Sequence, residues 1–293
     1  MSFEITEAMV QQYNSNIMLL CQQKQSRLRR AVRVESISAE FEYFDQIGPT
    51  EAQPKGGRHS DTPMMNTPHL RRRVSSSPYN WADMVDNTDK LRMLADPTSP
   101  YAMNAVMAFN RAQDRIIIDS AFDVAWTGKE GKTQVPFPTS QVIGVNGSGS
   151  QPGGLTIDKL IMAREKFWKN EVDESLPLYI AVTSNQLANL LRTTEVTNAD
   201  YNSVRALVRG EVNTFMGFEF IRTEMLPWAN NVRDCIAWAK DGLLLAVAEE
   251  VRTKVSERAD KNYSTQVYVE MDMGATRMEE KKVIKIQCQE TVA

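Results

Sequence analysis

The stretch PLYIAVTSNQLANLLR (177–192) and the three pieces that follow it decide the fold: NTFMGFEFIRTEMLP (213–227), CIAWAKDGLLLAV (235–247) and VSERADKNYSTQVYVEMDMGATRMEEKKVIKI (255–286). PLYIAVT reads as a strand and SNQLANLLR as a helix. In MGFEFIRTEMLP, Gly217 makes the turn into a strand in which Phe218, Phe220 and Arg222 alternate with Glu219, Ile221 and Thr223. The rest of the chain reads as strand, short helix or turn, strand, helix or strand, and a last strand, VIKIQC. Strands and helices are mixed along this part of the chain, and the expected class is α+β.

Working towards the N-terminus, LTIDKLIMAREKFW (155–168) and YNSVRALVRGEVN (201–213) are helical, and the turn-rich 127–154 reads as a hairpin and a linker. PTSPYAMNAVMAFNRAQDRIIIDSAFDVAW (97–126) is the longest helical segment. Ser99 caps it, Pro100 suits its first turn, Gly128 closes it, and Met103, Val106, Met107, Ile117, Ala121 and Val124 recur at three- and four-residue intervals. At ~1.5 Å per residue such a helix is about 40 Å long. Before it, Val32 to Ile47 alternates as a strand, and LRRRVSSSPYNWADM (70–84) is strand-like. Between them lies GPTEAQPKGGRHSDTPMMNTPH (48–69), far longer than the ~2–5 residues of a tight hairpin. Two strands joined by such a tip form an arm. A compact domain gains little from it, whereas an oligomer reaching over its neighbours gains interface. Residues 3–30 are patterned as a helix, with Val10, Tyr13, Ile17 and Leu20 on one face and the basic run Lys24, Arg27, Arg29, Arg30 and Arg33 at its end. That run reads as a solvated basic end or as a contact for an anionic partner.

Composition bounds the function. The 293 residues, 42% apolar, suffice for a real core. A net charge of -3, from 34 Lys+Arg against 37 Asp+Glu, is far from the basic balance of a dedicated duplex binder. Cys21, Cys235 and Cys288 are widely spaced and odd in number, so they read as reduced packing cysteines. The N-terminus lacks the pattern of an export signal, and the longest apolar run, Leu243 to Ala248, falls well short of the ~18 residues of a membrane span. The expectation is a soluble protein made in a cytoplasm.

The chemistry-bearing motifs do not assemble into a catalytic centre. GKEGKT (128–133) matches only the end of a phosphate-binding loop, because the first glycine would have to stand at Trp126. His59 and His69, the only histidines, both lie in the long loop, where nothing rigid would orient them. Adjacent acids such as Glu249 and Glu250, or Glu279 and Glu280, point to different sides of an element and read as solvated or interface charges. No metal, cofactor or catalytic residue is expected. Arg71, Arg72 and Arg73 would lie in a strand with Arg71 and Arg73 on one face and Arg72 on the other. Two readings stay open: an edge strand charged against aberrant pairing, or forked contacts to carboxylates of an adjacent subunit. Glu279 and Glu280 are candidates for the acidic side of such contacts.

Taken in order, N-terminal arm, extended two-stranded loop, long helix, inserted α/β region and return strands, the chain resembles the major capsid proteins of tailed bacteriophages, of the Hong Kong 97-like fold. The pieces quoted first carry the resemblance, and ADMVDNTDKLRMLADPTSPYAMNAVMAFNRAQD (82–114) resembles the family's entry into its spine helix. The resemblance implies an N-arm at 1–35, an extended loop at 36–80, a peripheral domain of 81–135 with 241–293, and an axial domain at 136–240. It further implies pentameric and hexameric capsomers enclosing a double-stranded DNA genome, in a virion assembled in the host cytoplasm. The expected partners are other copies of the chain, portal, decoration proteins, packaged DNA in weak non-specific contact, and no membrane. No scaffolding segment precedes the arm, so scaffolding is expected from a separate protein. Some family members crosslink a loop lysine to a neighbour, and Lys55 is the loop's sole candidate. An encapsulin-type compartment shares the fold, and an α/β enzyme with a lid loop is the reading from another class.

Overall fold

The computed structural model describes residues 22–58, 61, 64–86, 98–149, 151–192 and 213–290. In chain order the elements are β1 (Arg33–Ser36), β2 (Phe41–Ile47), β3 (His69–Ser75), β4 (Ser77–Val85), α1 (Thr98–Phe122), β5 (Ala125–Thr127), β6 (Thr133–Val135), β7 (Val142–Ile143), α2 (Ile157–Lys169) and β8 (Leu178–Val182). They continue with α3 (Ser184–Arg192), β9 (Thr214–Phe215), β10 (Phe218–Arg222), β11 (Trp228–Ala229), β12 (Val232–Ala239), β13 (Leu243–Arg258), β14 (Ser264–Arg277) and β15 (Val283–Gln289).

These strands form three sheets, ordered β1-β13-β14-β4, β7-β15-β12-β8-β10-β9 and β2-β3-β5-β6. In the second sheet every residue of β8, Leu178 to Val182, is buried, because the strand has sheet neighbours on both sides and helices over it. Helices α2 and α3 supply Leu160, Ala163, Phe167, Leu187 and Leu190 to the common core, and the Phe167 and Phe218 rings meet at 6.1 Å. Thr156 caps α2 by accepting from the Lys159 backbone N–H. Gly217 turns the chain into β10 with φ +79°, a conformation that favours glycine.

Several sequence-based expectations change. The run 32–47 is two strands, because the chain leaves β13 at Ile37 and changes sheets before Phe41. Likewise 70–84 divides at Ser76 into β3 and β4, which belong to different sheets. The bend is tight: a Cβ on Gly274 of β14 would lie 2.0 Å from the Ser75 carbonyl oxygen, so only glycine lets the two backbones pass. The long helix ends at Phe122, not Trp126, and Gly128 (φ +94°) closes the β5–β6 turn instead of the helix. Its buried stripe keeps Ile117 and Ala121 of the expected one and departs from it elsewhere. Ala105, Phe109, Gln113, Asp114, Ile117, Ile118 and Ala121 face inward, while Met103, Val106 and Val124 are exposed. The inward face is the one that packs on Val267, Val269 and Met271 of β14. Residues 252–258 continue β13 as a ribbon against β14.

Residues 22–28 are not the end of a helix, and only Arg29–Ala31 makes a single tight turn. The expected helical positions 3–21, Cys21, His59 and most of 201–213 lie outside the described residues. Sheet membership also cuts across the expected division of the chain. β15, from the block 241–293, pairs with β12 and β7 inside the sheet built by 136–240.

Candidate inter-subunit surfaces

The buried polar groups hold the subunit together. Asp114, fully buried on α1, accepts from the backbone N–H groups of Arg27 and Leu28 (both 3.0 Å), from Ser26 Oγ (2.6 Å) and from Gln23 Nε2. A carboxylate so surrounded holds residues 23–28 against α1 in irregular backbone, because the N–H groups a helix would use internally point at it. The basic run is consumed around this anchor. Arg29 pairs with Glu250 (2.6 Å), Arg30 with Glu219 (2.7 Å) and Arg33 with Glu35 (2.7 Å), while Arg27 donates to the Arg222 carbonyl. The Lys24 carbonyl accepts from Asn110 of α1 (2.9 Å), and Trp238 donates to the Ala31 carbonyl (2.9 Å).

Arg277 plays the matching part at the far end of α1. Its guanidinium, with no exposed surface, donates to the carbonyls of Ala121 and Asp123 (both 2.9 Å) and of Val135 (3.0 Å), and lies 5.1 Å from the Phe137 ring. A cation there satisfies the Ala121 carbonyl and offsets the negative end of the helix, which stabilises the helix end at Phe122. Burial nevertheless pulls the Arg277 pKa down.

Arg72 is 5% exposed, donates to both Glu280 oxygens (2.7 and 3.0 Å) and to the Met278 carbonyl (3.1 Å), and so spends its fork within its own chain. With Gln46, which also donates to the Met278 carbonyl (2.9 Å), it fastens the base of the β2–β3 hairpin to the body. The apolar cluster of Ile37, Val74, Leu244, Ala246 and Met278 lies beneath, with Phe44 packed against it. Arg71 is held by Asp45 (2.6 and 3.4 Å), whose carboxyl the guanidinium keeps below the usual range. Arg73 stacks between rings. Glu279 pairs with Lys282 (3.1 Å). As expected, Arg71 and Arg73 share one face and Arg72 takes the other. Lys55 is exposed in the loop beyond the hairpin.

Two further groups invite a chemical reading. Lys159, 1% exposed, has a pKa pulled down by burial, yet its Nζ donates to the carbonyls of Gly153 and Gln287 (both 2.8 Å), tying α2 to β15. Cys235 and Cys288 are free and buried beside one another, and the hydrogen bond between them, with burial, pushes the Cys235 thiol up. A protonated buried thiol is inert. Near them Glu290 clasps the chain end: it accepts from Arg233 (3.0 and 3.0 Å) and Gln186 (3.1 Å), and the Arg233 guanidinium holds its pKa below the ordinary value. Among the described residues no group of three or more His, Cys, Asp or Glu is placed to hold a metal ion, and no helix is long and apolar enough to cross a membrane.

Sequence reasoning missed Asp114, Arg277, Glu290 and Trp126. Asp114 alone left a signal, an acid one turn from Ile117 and Ile118 in an apolar stripe; the rest depend on distant partners.

What stays open is the outer face of the β2-β3-β5-β6 sheet and the loop 48–68 that extends from it. Phe41 is 44% exposed, Ile47 71% and Met64 98%, amounts of apolar surface that a lone subunit leaves to water. The family model for phage capsid proteins matches residues 5–290. Among solved structures, a capsid subunit of cyanophage P-SCSP1u superposes with a TM-score of 0.72 at 15% identity, covering 94% of this chain and 92% of that one. The capsid of Ralstonia phage GP4 gives 0.72 at 11% identity, covering 95% and 94%. That of Mycobacterium phage Che8 gives 0.68 at 13%, covering 93% and 94%. A comparison with curated proteins gave no match.

Proposed function

Because the chain belongs to the phage capsid protein family and is a major capsid protein of the tailed-phage type, we propose that it builds pentameric and hexameric capsomers around a double-stranded DNA genome. The observation that carries this is the open hairpin sheet with its exposed loop, which leaves Phe41, Ile47 and Met64 to water. In the capsomer the loop of one copy lies across its neighbour and the N-terminal arm reaches beneath. Many modest contacts, repeated by closed symmetry, then add up to a stable shell without trapping misassembled forms.

In this reading the axial domain is 136–240 completed by β15, and the peripheral domain holds α1, β4, β13 and β14. Assembly takes place in the host cytoplasm on a separate scaffolding protein, with a portal and decoration proteins as further partners and no catalytic step of its own. Lys55 is the lysine available for a crosslink to a neighbouring copy; a ladder of oligomers on denaturing gels of mature shells supports that link, and a clean monomer band removes it. The family match favours a genome-enclosing shell over a cargo-enclosing encapsulin. Electron micrographs of the chain expressed with its scaffolding protein test the function: closed shells of uniform diameter are expected, and dispersed monomers would overturn it.

A further inference from the structure

The open face of the hairpin sheet has a specific composition. Phe41, Tyr43, Asp45 and Ile47 of β2 stand opposite Ser75, Arg73, Arg71 and His69 of β3, and Trp126 of β5 stands opposite Arg73. The two arginines on this face are in different states. Arg71 is engaged by Asp45 and lies 5.4 Å from the Tyr43 ring. Arg73 lies between two rings, 5.0 Å from Phe41 and 5.1 Å from Trp126, and is backed by Gly131, where a Cβ would come within 2.6 Å of the Arg73 Cδ. Among the described residues nothing gives its guanidinium an ion pair or a hydrogen bond.

A guanidinium stacked on aromatic rings keeps its N–H edge free in the ring plane while its rotation is restricted, so a further partner costs little conformational entropy. That edge matches a carboxylate in forked geometry. We propose that Arg73 receives a carboxylate side chain of a second copy of this chain, so that the aromatic face and its guanidinium form one side of a contact between subunits. This rests on the shell reading and adds to it the residue and the chemistry of one contact.

Charge complementarity supports a second copy as the occupant. Exposed acids such as Glu51 in the loop, Glu174 and Glu257 have no ion pair among the described residues. A cavity of about 310 Å³ is lined by Arg73 and Trp126 together with Ser75, Tyr79 and Thr276, so the guanidinium borders open space large enough to admit a side chain of a neighbour. Phe41 and Tyr43, left 44% and 39% exposed, then lose water around the pair, which strengthens it.

The experiment is arginine-selective dicarbonyl labelling with peptide mapping, carried out on soluble wild-type subunits and on assembled shells. Arg73 should react in the subunit and become at least ~10-fold less reactive in shells, the change expected where a forked ion pair blocks its N–H edge. Arg73→Glu should fold but not assemble, and Arg73→Lys, which keeps the charge and loses the fork, should give shells that dissociate at lower denaturant. If Arg73→Glu does not fold, the labelling on the unmodified chain still decides. Equal labelling of Arg73 in subunits and shells would overturn the contact while leaving the shell function intact. Failure of the wild-type chain to form shells would instead remove the shell reading and the contact with it.

Discussion

Asp114 takes four donors from residues 23–28 on one buried carboxylate, while Asn110 and Arg111 of α1 donate to Lys24 and Gln22 beside it. Replacing it by asparagine keeps the shape but turns one acceptor into a donor facing N–H groups. Asp114→Asn should therefore cost about 3 kcal/mol, the scale of a lost charge-assisted pair plus an unsatisfied buried donor. Urea titration measures the loss, and limited proteolysis should show new cleavage within 22–30. At the other end, Glu290 has a folded pKa below its unfolded one. Its contribution is thus fully present above the ordinary glutamate value of roughly 4.3 and is lost as pH falls below it. Glu290→Gln should lower the melting temperature at neutral pH and flatten its decline in acid; an unchanged acid limb would assign the acid sensitivity to other carboxylates. Asp114 was readable as an anomaly in an apolar stripe, whereas Glu290 gave no local sign, since Arg233 and Gln186 lie 57 and 104 residues away.

The β2–β3 hairpin is the element that leaves the body, and its root and its reach are built differently. The root is fixed by Arg72, Gln46 and the cluster around Val74 and Met278, whereas residues 48–58 and 64–68 make no strand. Removing 49–67 and bridging the gap with a short flexible link spares the paired residues Ile47 and His69. The shortened chain should stay soluble, with unchanged circular dichroism, and form no shells; particles of normal diameter in micrographs would contradict the role assigned to the loop. The long loop itself was legible because twenty-odd residues rich in Pro and Gly contain no periodic segment. The strand breaks at 37–40 and at Ser76 were not legible. An alternating pattern persists through a change of sheet, and only the crossing of Ser75 over Gly274 shows why the chain must bend there. The departure of the α1 stripe has a similar origin: Met103, Val106 and Val124 have the right spacing for a core stripe, but β14 packs on a different face.

For the whole molecule, the basic run from Lys24 to Arg33 bears on whether the subunit grips DNA. Three of its arginines pair with acids of the same chain, which leaves little charge to release counterions from a duplex. Binding of soluble subunits to duplex DNA should accordingly be weak, with a shallow dependence on salt, and a steep slope in a titration from 50 to 200 mM salt, of the kind phosphate-binding proteins give, would identify a cationic surface elsewhere. The sequence by itself determined the element order, the arm-like loop, the mixed α+β class and the resemblance to tailed-phage capsid proteins, because periodicity, turn residues and length are local properties. Only the tertiary structure decided that Arg72 serves its own chain while Arg73 is stacked between rings with no ion pair among the described residues, that β15 crosses back to join β12, and which side of α1 is core. Each of these depends on which distant segments meet, and the pairing of a charge or the packing of a face is a property of both partners, not of the residues that carry it.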